Sequence, residues 1–397
     1  MKHQRPRDKV RFGIVGLGFM GRGHAKAIVD DRSADFCLGA VADNFEAPAK
    51  SAGEEFGVPW FTSADAMFRS GLIDAALIVT PHYWHPVQTI QAARAGLAVL
   101  CEKPIAVTVG PARAMIAECR KHKAPLGVMF QSRTRGVMMK ARQMVVSGEL
   151  GEVFRVSMTA TNWYRSQAYY DSGAWRGTWD GEGGGILLNQ APHHIDLFGW
   201  IAGMPKSITA FLDTRLHKIE VENTAHVICR YDGPKTGLIY ASTAEWPGTF
   251  LVEIVGDKGT LLIDNNKLNF GRLARPLSAD IAANKESRAD FIVPPECKWE
   301  AVQIENDPGG DRINVIRAFA AHVLRGEEMV ATGEDGLRQL EMTNAMYLSG
   351  FTGRSVDLPV DAAKMERLLA RLERERSTGR GQGQRKAALS ALRKLAR

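Results

Sequence analysis

The chain has no apolar run near the roughly 20 residues that span a bilayer. Its longest, such as Ala75–Thr80, are the size of a strand. A helical membrane protein is excluded on that ground. Cysteine is scarce: five thiols in 397 residues, far apart and without a CxxC pair. That odd, scattered set argues for reduced thiols in the cytoplasm. The glycine-punctuated stretch after the basic first ten residues lacks a small-residue cleavage site, and there is no twin-arginine pair, so no signal peptide is expected. No internal repeat is present. What remains is ordinary for a soluble globular protein: 45% hydrophobic, 24% charged and 8% aromatic residues, in a length that suits two conventional domains.

The formal charge of +7 points toward nucleic acid until its location is considered. Residues 1–11 carry a net +4 and residues 367–397 a net +8, which leaves −5 for the body between them. A mildly acidic body predicts neither a nucleic-acid nor a membrane partner.

Three parts follow from the pattern. Residues 1–147 alternate short apolar runs with helical stretches. Strands are expected at Val10–Val15, Phe36–Ala42, Ala75–Thr80, Ala98–Cys101 and Leu126–Phe130. Helices are expected at Met20–Asp31, Pro86–Gly96 and Thr108–Lys121. Strand–helix alternation means a parallel sheet covered on both faces. From Gly148 to residue 362 the texture changes to alternating, antiparallel-type strands: Glu152–Thr161, Ser207–Arg215, Thr224–Tyr231, Gly237–Glu245, Leu251–Val255 and Thr260–Ile263. Helices are expected at Ile186–Ile201, Arg312–Leu324 and Asp335–Ser349. Residues 363–397 read as a basic extension, solvated or partner-facing, whose removal should leave turnover intact. A basic amphipathic helix is the other reading of its leucines and arginines.

Gly16, Gly18 and Gly21 form a GxGxxG with Leu17, Phe19 and Met20, after a strand and opening a helix. The first glycine permits the tight turn, the second lets a pyrophosphate approach, and the third lets helix pack on strand. The helix N-terminus supplies free N–H groups to phosphate. Asp43 ends the next strand, where a carboxylate accepts from the adenosine ribose hydroxyls and repels a 2′-phosphate, so NAD is expected over NADP. Thr80 opens a loop that runs through His82 to His85 at the carboxyl end of the third strand, where ligands of open α/β sheets lie. His82 and His85 have metal-ligand spacing, but no cysteine or carboxylate joins them, and no metal is expected. Glu102, Lys103 and Pro104 end the next strand. A lysine there faces the nicotinamide, and desolvation plus the cationic ring lower its pKa enough to take a proton from a hydroxyl.

These motifs at these separations resemble the glucose–fructose oxidoreductase / inositol dehydrogenase / rhizopine-catabolism (Gfo/Idh/MocA) family. The resemblance continues through the glycine-rich turn Gly183–Gly185, Asn189, His193 and Asp196, the hairpin at Gly256–Thr260, and Val356–Pro359. It covers about residues 8 to 362. It implies an N-terminal α/β Rossmann domain and a C-terminal α+β domain with a large, mostly antiparallel open sheet. It also implies an active site between them where Lys103 transfers a proton and His193 positions the reacting hydroxyl of a sugar, glycoside or inositol. A homodimer or homotetramer is implied as well. Asn189 departs from the family's aspartate: asparagine hydrogen-bonds but carries no charge. Proton transfer then rests on Lys103 alone or on a nearby tyrosine.

Between residues 162 and 179 lie six aromatics and two arginines. Rings stack on sugar faces, and arginines grip hydroxyls or an acid group, so Trp163, Tyr164, Arg165 and Tyr170 are candidate substrate contacts, with Arg133 and His194. The other reading of this segment is an oligomer contact or packed lid. Trp175 and Arg176, by resemblance, reach back to the nicotinamide, and Gln131 joins them at the cofactor. Two alternatives remain. A redox-neutral glycoside hydrolase on the same fold would hold NAD, oxidise C3 transiently and return the hydride. A dinucleotide-sensing regulator would need neither Lys103 nor His193.

Overall fold

The computed structural model describes residues 8–285, 292–381 and 383–396, so part of the basic N-terminal run and Arg397 lie outside it. The chain begins β1 (Val10–Val15), α1 (Phe19–Asp30), β2 (Phe36–Ala42), α2 (Glu46–Phe56), β3 (Trp60–Phe61), α3 (Ala64–Arg69) and β4 (Ala75–Ile78). It continues with α4 (His85–Arg94), β5 (Ala98–Cys101), α5 (Val109–Lys121), β6 (Leu126–Val128) and α6 (Gly136–Val146). The six strands form one parallel sheet in the order β3-β2-β1-β4-β5-β6. Strands β4, β5 and β6 are buried at every position, as a sheet covered on both faces requires. The strand order reverses between β1 and β4, which opens a crevice at their carboxyl ends.

The second half runs β7 (Val153–Ala160), α7 (Gln167–Asp171), α8 (Pro192–Ala202), β8 (Ser207–Asp213), β9 (Thr224–Arg230), β10 (Thr236–Ser242) and β11 (Phe250–Gly256). Then come β12 (Gly259–Asp264), β13 (Lys267–Leu273), α9 (Leu277–Ala283), β14 (Cys297–Ala301), α10 (Arg312–Arg325), α11 (Gly333–Thr352), β15 (Val356–Asp357), α12 (Ala362–Arg376) and α13 (Gln384–Leu395). Nine strands form a sheet ordered β14-β13-β12-β11-β7-β10-β9-β8-β15, antiparallel except for the β7–β10 pair. Helices α8 and α11 pack together, and α11 lies on β8. Phe211, Ile228 and Leu238 stand exposed on the other face. Helix α10 returns to the first sheet, where Phe319 meets Phe12 with ring centroids 6.2 Å apart.

Two expectations change. The helix expected at Ile186–Ile201 starts only at Pro192, and residues 186–191 are tight turns. Pro192 has no N–H to continue an upstream helix but suits the first turn of a new one. Gly185 is pressed against β9's approach segment, where a Cβ would collide with the Glu222 carbonyl oxygen. The Glu222 carboxylate caps the turn by accepting from Gly185 N and Leu187 N.

The other change concerns the basic extension, which docks onto the body. Met365, Leu368, Leu369 and Leu372 line the buried stripe of α12 at helical spacing. Arg385 bridges Glu366 and Glu373 across to α13. The connecting segment grips the loop ahead of the glycine turn: Arg385 N donates to the Asp180 carbonyl at 3.2 Å, and Thr378 N to Glu220 Oε1 at 2.5 Å. Arg380 reaches the Tyr170 carbonyl at 3.2 Å.

Candidate active site

The cofactor end is built by β1 and α1. Gly16 has φ +91°, and a Cβ on Gly21 would strike the Gly16 carbonyl, so the turn holds no other residue type at either position. Gly18 has nothing within 4 Å of its missing Cβ, which leaves the backbone open to a close ligand. Phe19 and Met20 begin α1 there, Phe19 being 90% exposed. Asp43 ties the turn down: its Oδ2 accepts from Leu17 N at 2.8 Å and its Oδ1 from Phe45 N at 3.0 Å. An open glycine edge, unspent helix N–H groups and a carboxylate beside them fit a dinucleotide.

The next two strands deliver loops that brace one another. Thr80 Oγ1 donates to Gln88 at 2.6 Å. The ring of His85 lies with Nδ1 2.7 Å from the Pro104 carbonyl and Nε2 2.8 Å from that of Thr80, so it pins the two loops together. Burial pushes its pKa down. Glu102 accepts from His24 of α1 at 2.7 Å and from Lys103 N at 3.0 Å. Burial raises its pKa, but the His24 hydrogen bond and nearby cations prevail and hold it at about 2. The side chains of His85 and Glu102 are thus both engaged by protein groups.

Lys103 Nζ donates to the Asn189 carbonyl at 2.7 Å. Desolvation lowers its pKa, and Arg165 and Arg176 push the same way, against Glu102 and Glu182. Asn189 Nδ2 donates to Glu182 Oε1 and reaches the Tyr169 hydroxyl at 3.4 Å. Glu182 Oε2 accepts from Gly177 N at 2.6 Å, and burial lifts its pKa to about 7. Tyr169 also accepts from Arg176 at 2.6 Å and Gln190 at 3.2 Å. His193 stands edge-on to Phe130 at 6.1 Å and to Trp163 at 6.5 Å. Burial, then Lys103, hold it neutral with a pKa of about 3, and among the described residues its buried Nδ1 has no partner. His194 packs between Trp163 and Phe250 and is likewise neutral, burial bringing it to about 4. Trp175 stands 5.9 Å from His82, whose Nδ1 donates to the Glu182 carbonyl at 3.0 Å. That contact joins the Thr80 loop to the aromatic segment.

Not every expected residue arrives there. Arg133 forks onto Asp196 at 2.8 and 2.6 Å in the interior and faces Asp335 at 3.4 Å, so its charge is balanced inside the protein and it anchors α8 rather than facing the crevice. Tyr170 is buried with its hydroxyl 2.9 Å from Thr243. Its neighbour Tyr169 takes the inward position. Asn189 and His193 do not share a helix face, because Asn189 sits in the turn before α8. Tyr164 is half exposed beside Trp246. Gln131 keeps a buried Oε1 without a partner. Sequence reading missed Tyr169 and Glu182. The expected nearby tyrosine is the first of these, and nothing local in the sequence distinguishes the second.

A glycine turn at the reversal point of a parallel sheet, facing a desolvated lysine and a neutral histidine, defines a dinucleotide-binding oxidoreductase. Residues 10–130 match the oxidoreductase family, NAD-binding Rossmann fold, and residues 138–262 match the GFO/IDH/MocA C-terminal domain. The chain belongs to the GFO/IDH/MocA family and is an NAD-binding oxidoreductase. It is 29% identical over 355 residues to the inositol 2-dehydrogenase of Rhizobium meliloti, covering 88% of this chain and 99% of that one. It is 28% identical over 355 residues to the D-apiose dehydrogenase of Paraburkholderia graminis, covering 87% and 88%. The fold is similar to the WlbA dehydrogenase of Bordetella pertussis in complex with NADH and UDP-GlcNAcA, with a TM-score of 0.77, 26% identity, and coverage of 90% and 100%. All three relatives are dehydrogenases, and the glycoside-hydrolase alternative gains no support from them. Among the described residues no helix is long and apolar enough to cross a membrane.

Proposed function

We propose that the protein oxidises a secondary hydroxyl of a sugar, glycoside or inositol, or reduces the matching ketone. The observation that carries this reading is Lys103: a desolvated amine that, among the described residues, is hydrogen-bonded only to a carbonyl, next to a neutral His193 with an unpartnered nitrogen. NAD, when bound, supplies the acceptor for the hydride leaving the carbinol carbon. Lys103 Nζ takes the hydroxyl proton, so that one C–H and one O–H bond are exchanged for a carbonyl. His193 hydrogen-bonds the reacting oxygen, and Asn189 fixes Lys103 through its backbone carbonyl. Gly16, Gly18, Phe19, Met20, Gly21 and Asp43 hold the dinucleotide, with Thr80, Gln131, Trp175 and Arg176 toward the nicotinamide. Trp163, Tyr164, Arg165 and His194 line the substrate side.

The division at residues 147 and 362 belongs to the same reading, as does a homodimer or homotetramer through the exposed sheet face bearing Phe211, Ile228 and Leu238. Five free thiols suit the cytoplasm. The test is one assay with two readouts. The enzyme is incubated with NAD and a panel of inositols, sugars and chromogenic glycosides, following reduced nicotinamide and released aglycone. Net NADH is expected. Aglycone release without net reduction would overturn the reading.

A further inference from the structure

The substrate side of the crevice holds more positive charge than it balances. The backbone of Arg165 is fixed, its N–H bonded to the Thr243 carbonyl at 3.0 Å and its own carbonyl accepting from His217 at 2.9 Å. Its guanidinium carbon lies 4.7 Å from the Tyr169 ring centroid and 5.8 Å from that of Trp163. One of its amino groups reaches the Tyr164 carbonyl at 3.2 Å, while among the described residues its buried Nε has no partner. Arg176 lies 4.5 Å from the same Tyr169 ring and donates to its hydroxyl. Among the described residues, no carboxylate forms an ion pair with Arg165, Arg176 or Lys103. The carboxylates that act on Lys103 are Glu102 and then Glu182, and both are already hydrogen-bonded, Glu102 to His24 and Lys103 N and Glu182 to Gly177 N and Asn189 Nδ2.

Tyr169 adds a further donor. Its hydroxyl oxygen receives N–H groups from Arg176, Gln190 and Asn189, and among the described residues nothing accepts its own proton. Acceptors occur elsewhere in the site: Gln190 Oε1, and Gln131 Oε1 toward the nicotinamide, are both buried without partners among the described residues. The crevice therefore has a donor-rich end at Arg165, Tyr169 and Arg176, and separate acceptors suited to hydroxyl groups. Both guanidinium groups are partly buried, and a guanidinium fork matches a planar carboxylate.

We propose that the substrate is a sugar acid, its carboxylate held by Arg165 with Tyr169, which Arg176 braces, and its hydroxyls by Gln190 and His193. This rests on the oxidoreductase reading above and narrows its substrate class. A phosphate would satisfy the same cations, so the experiment separates the two anions.

The test uses the full chain saturated with NADH, which binds ligand without turning it over, and titrates it calorimetrically with four kinds of probe. These are uronates and aldonates (D-glucuronate, D-galacturonate, D-gluconate), their neutral parents, glucose 6-phosphate and tartrate. At least one sugar acid should bind about tenfold or more tighter than its neutral parent. That preference should vanish in Arg165→Gln and largely return in Arg165→Lys, with thermal melts reporting that both variants fold. Equal binding of acids and parents, tighter binding of the phosphate, binding of none of the acids, or an intact preference in Arg165→Gln would each overturn the proposal. Failure of the underlying reading looks different: acids bind selectively, yet neither they nor any neutral compound reduces NAD.

Discussion

The two ends of the crevice handle their polar groups in opposite ways. At the cofactor end, Asp43, Glu102 and His85 spend their polar atoms on neighbouring loops, while His24 bonds Glu102 through Nε2 and keeps a buried Nδ1 without a partner among the described residues. At the substrate end, Arg165, Gln190 and His193 each keep a buried polar atom unmatched among the described residues. The first arrangement fixes a scaffold that suits one ligand whatever the substrate. The second leaves binding capacity for a ligand to complete, which is what specificity requires. The difference also explains why the cofactor is easier to infer than the substrate.

The largest way to break the comparison is at the turn that both ends lean on. Gly185→Ala should abolish the folded state or cost more than about 4 kcal/mol, since its Cβ would meet the Glu222 carbonyl. Chemical denaturation measures this, and a variant as stable as the parent would show that the turn has slack. Removing residues 377–397 comes next. It leaves the buried carboxylates of Asp180, which accepts from Gly383 N at 2.5 Å, and of Glu220 short of donors, at about 1–3 kcal/mol each, and frees the segment carrying Trp175 and Arg176. A lower melting temperature and reduced turnover are expected, and unchanged values would return the extension to the role of a solvated tail.

Asp43→Ala should weaken NAD on the order of tenfold and narrow its lead over NADP. Cofactor titrations read this directly, and a parent protein that prefers NADP would refute the assignment. The smallest effect concerns Lys103. Glu182 raises its pKa, so Glu182→Gln lets the ammonium lose its proton more easily, and the acid limb of the oxidation profile moves to lower pH. Arg165 acts in the other direction, so Arg165→Gln should move that limb to higher pH. Limbs that stay in place in both variants would remove Lys103 from the titration.

Much of the first sheet was legible because its signals are local. A GxGxxG after a strand, an aspartate ending the next, and Glu102-Lys103-Pro104 each lie within a few residues of the structure they specify. The second end was less legible because its partners are distant. The engagement of Arg133 depends on Asp196, 63 residues on, and no pattern near Arg133 announces it. The helix read through Ile186–Ala191 follows apolar spacing that continues to Pro192, but the segment is held as turns by Glu222, more than 30 residues away. Polar composition hid the stripe of Met365, Leu368, Leu369 and Leu372, and docking of the extension depends on Asp180 and Glu220. In the aromatic segment the residue types were informative, but which of two adjacent tyrosines turns inward depends on Thr243, which takes the hydroxyl of Tyr170.

The most direct test of the account measures Lys103→Ala twice, for NAD affinity and for turnover with a substrate from the panel. The division of labour predicts a fall in turnover of about 10²- to 10⁴-fold while the NAD dissociation constant stays within about twofold of the parent's. Near-normal turnover, or loss of NAD binding alongside turnover, would contradict it.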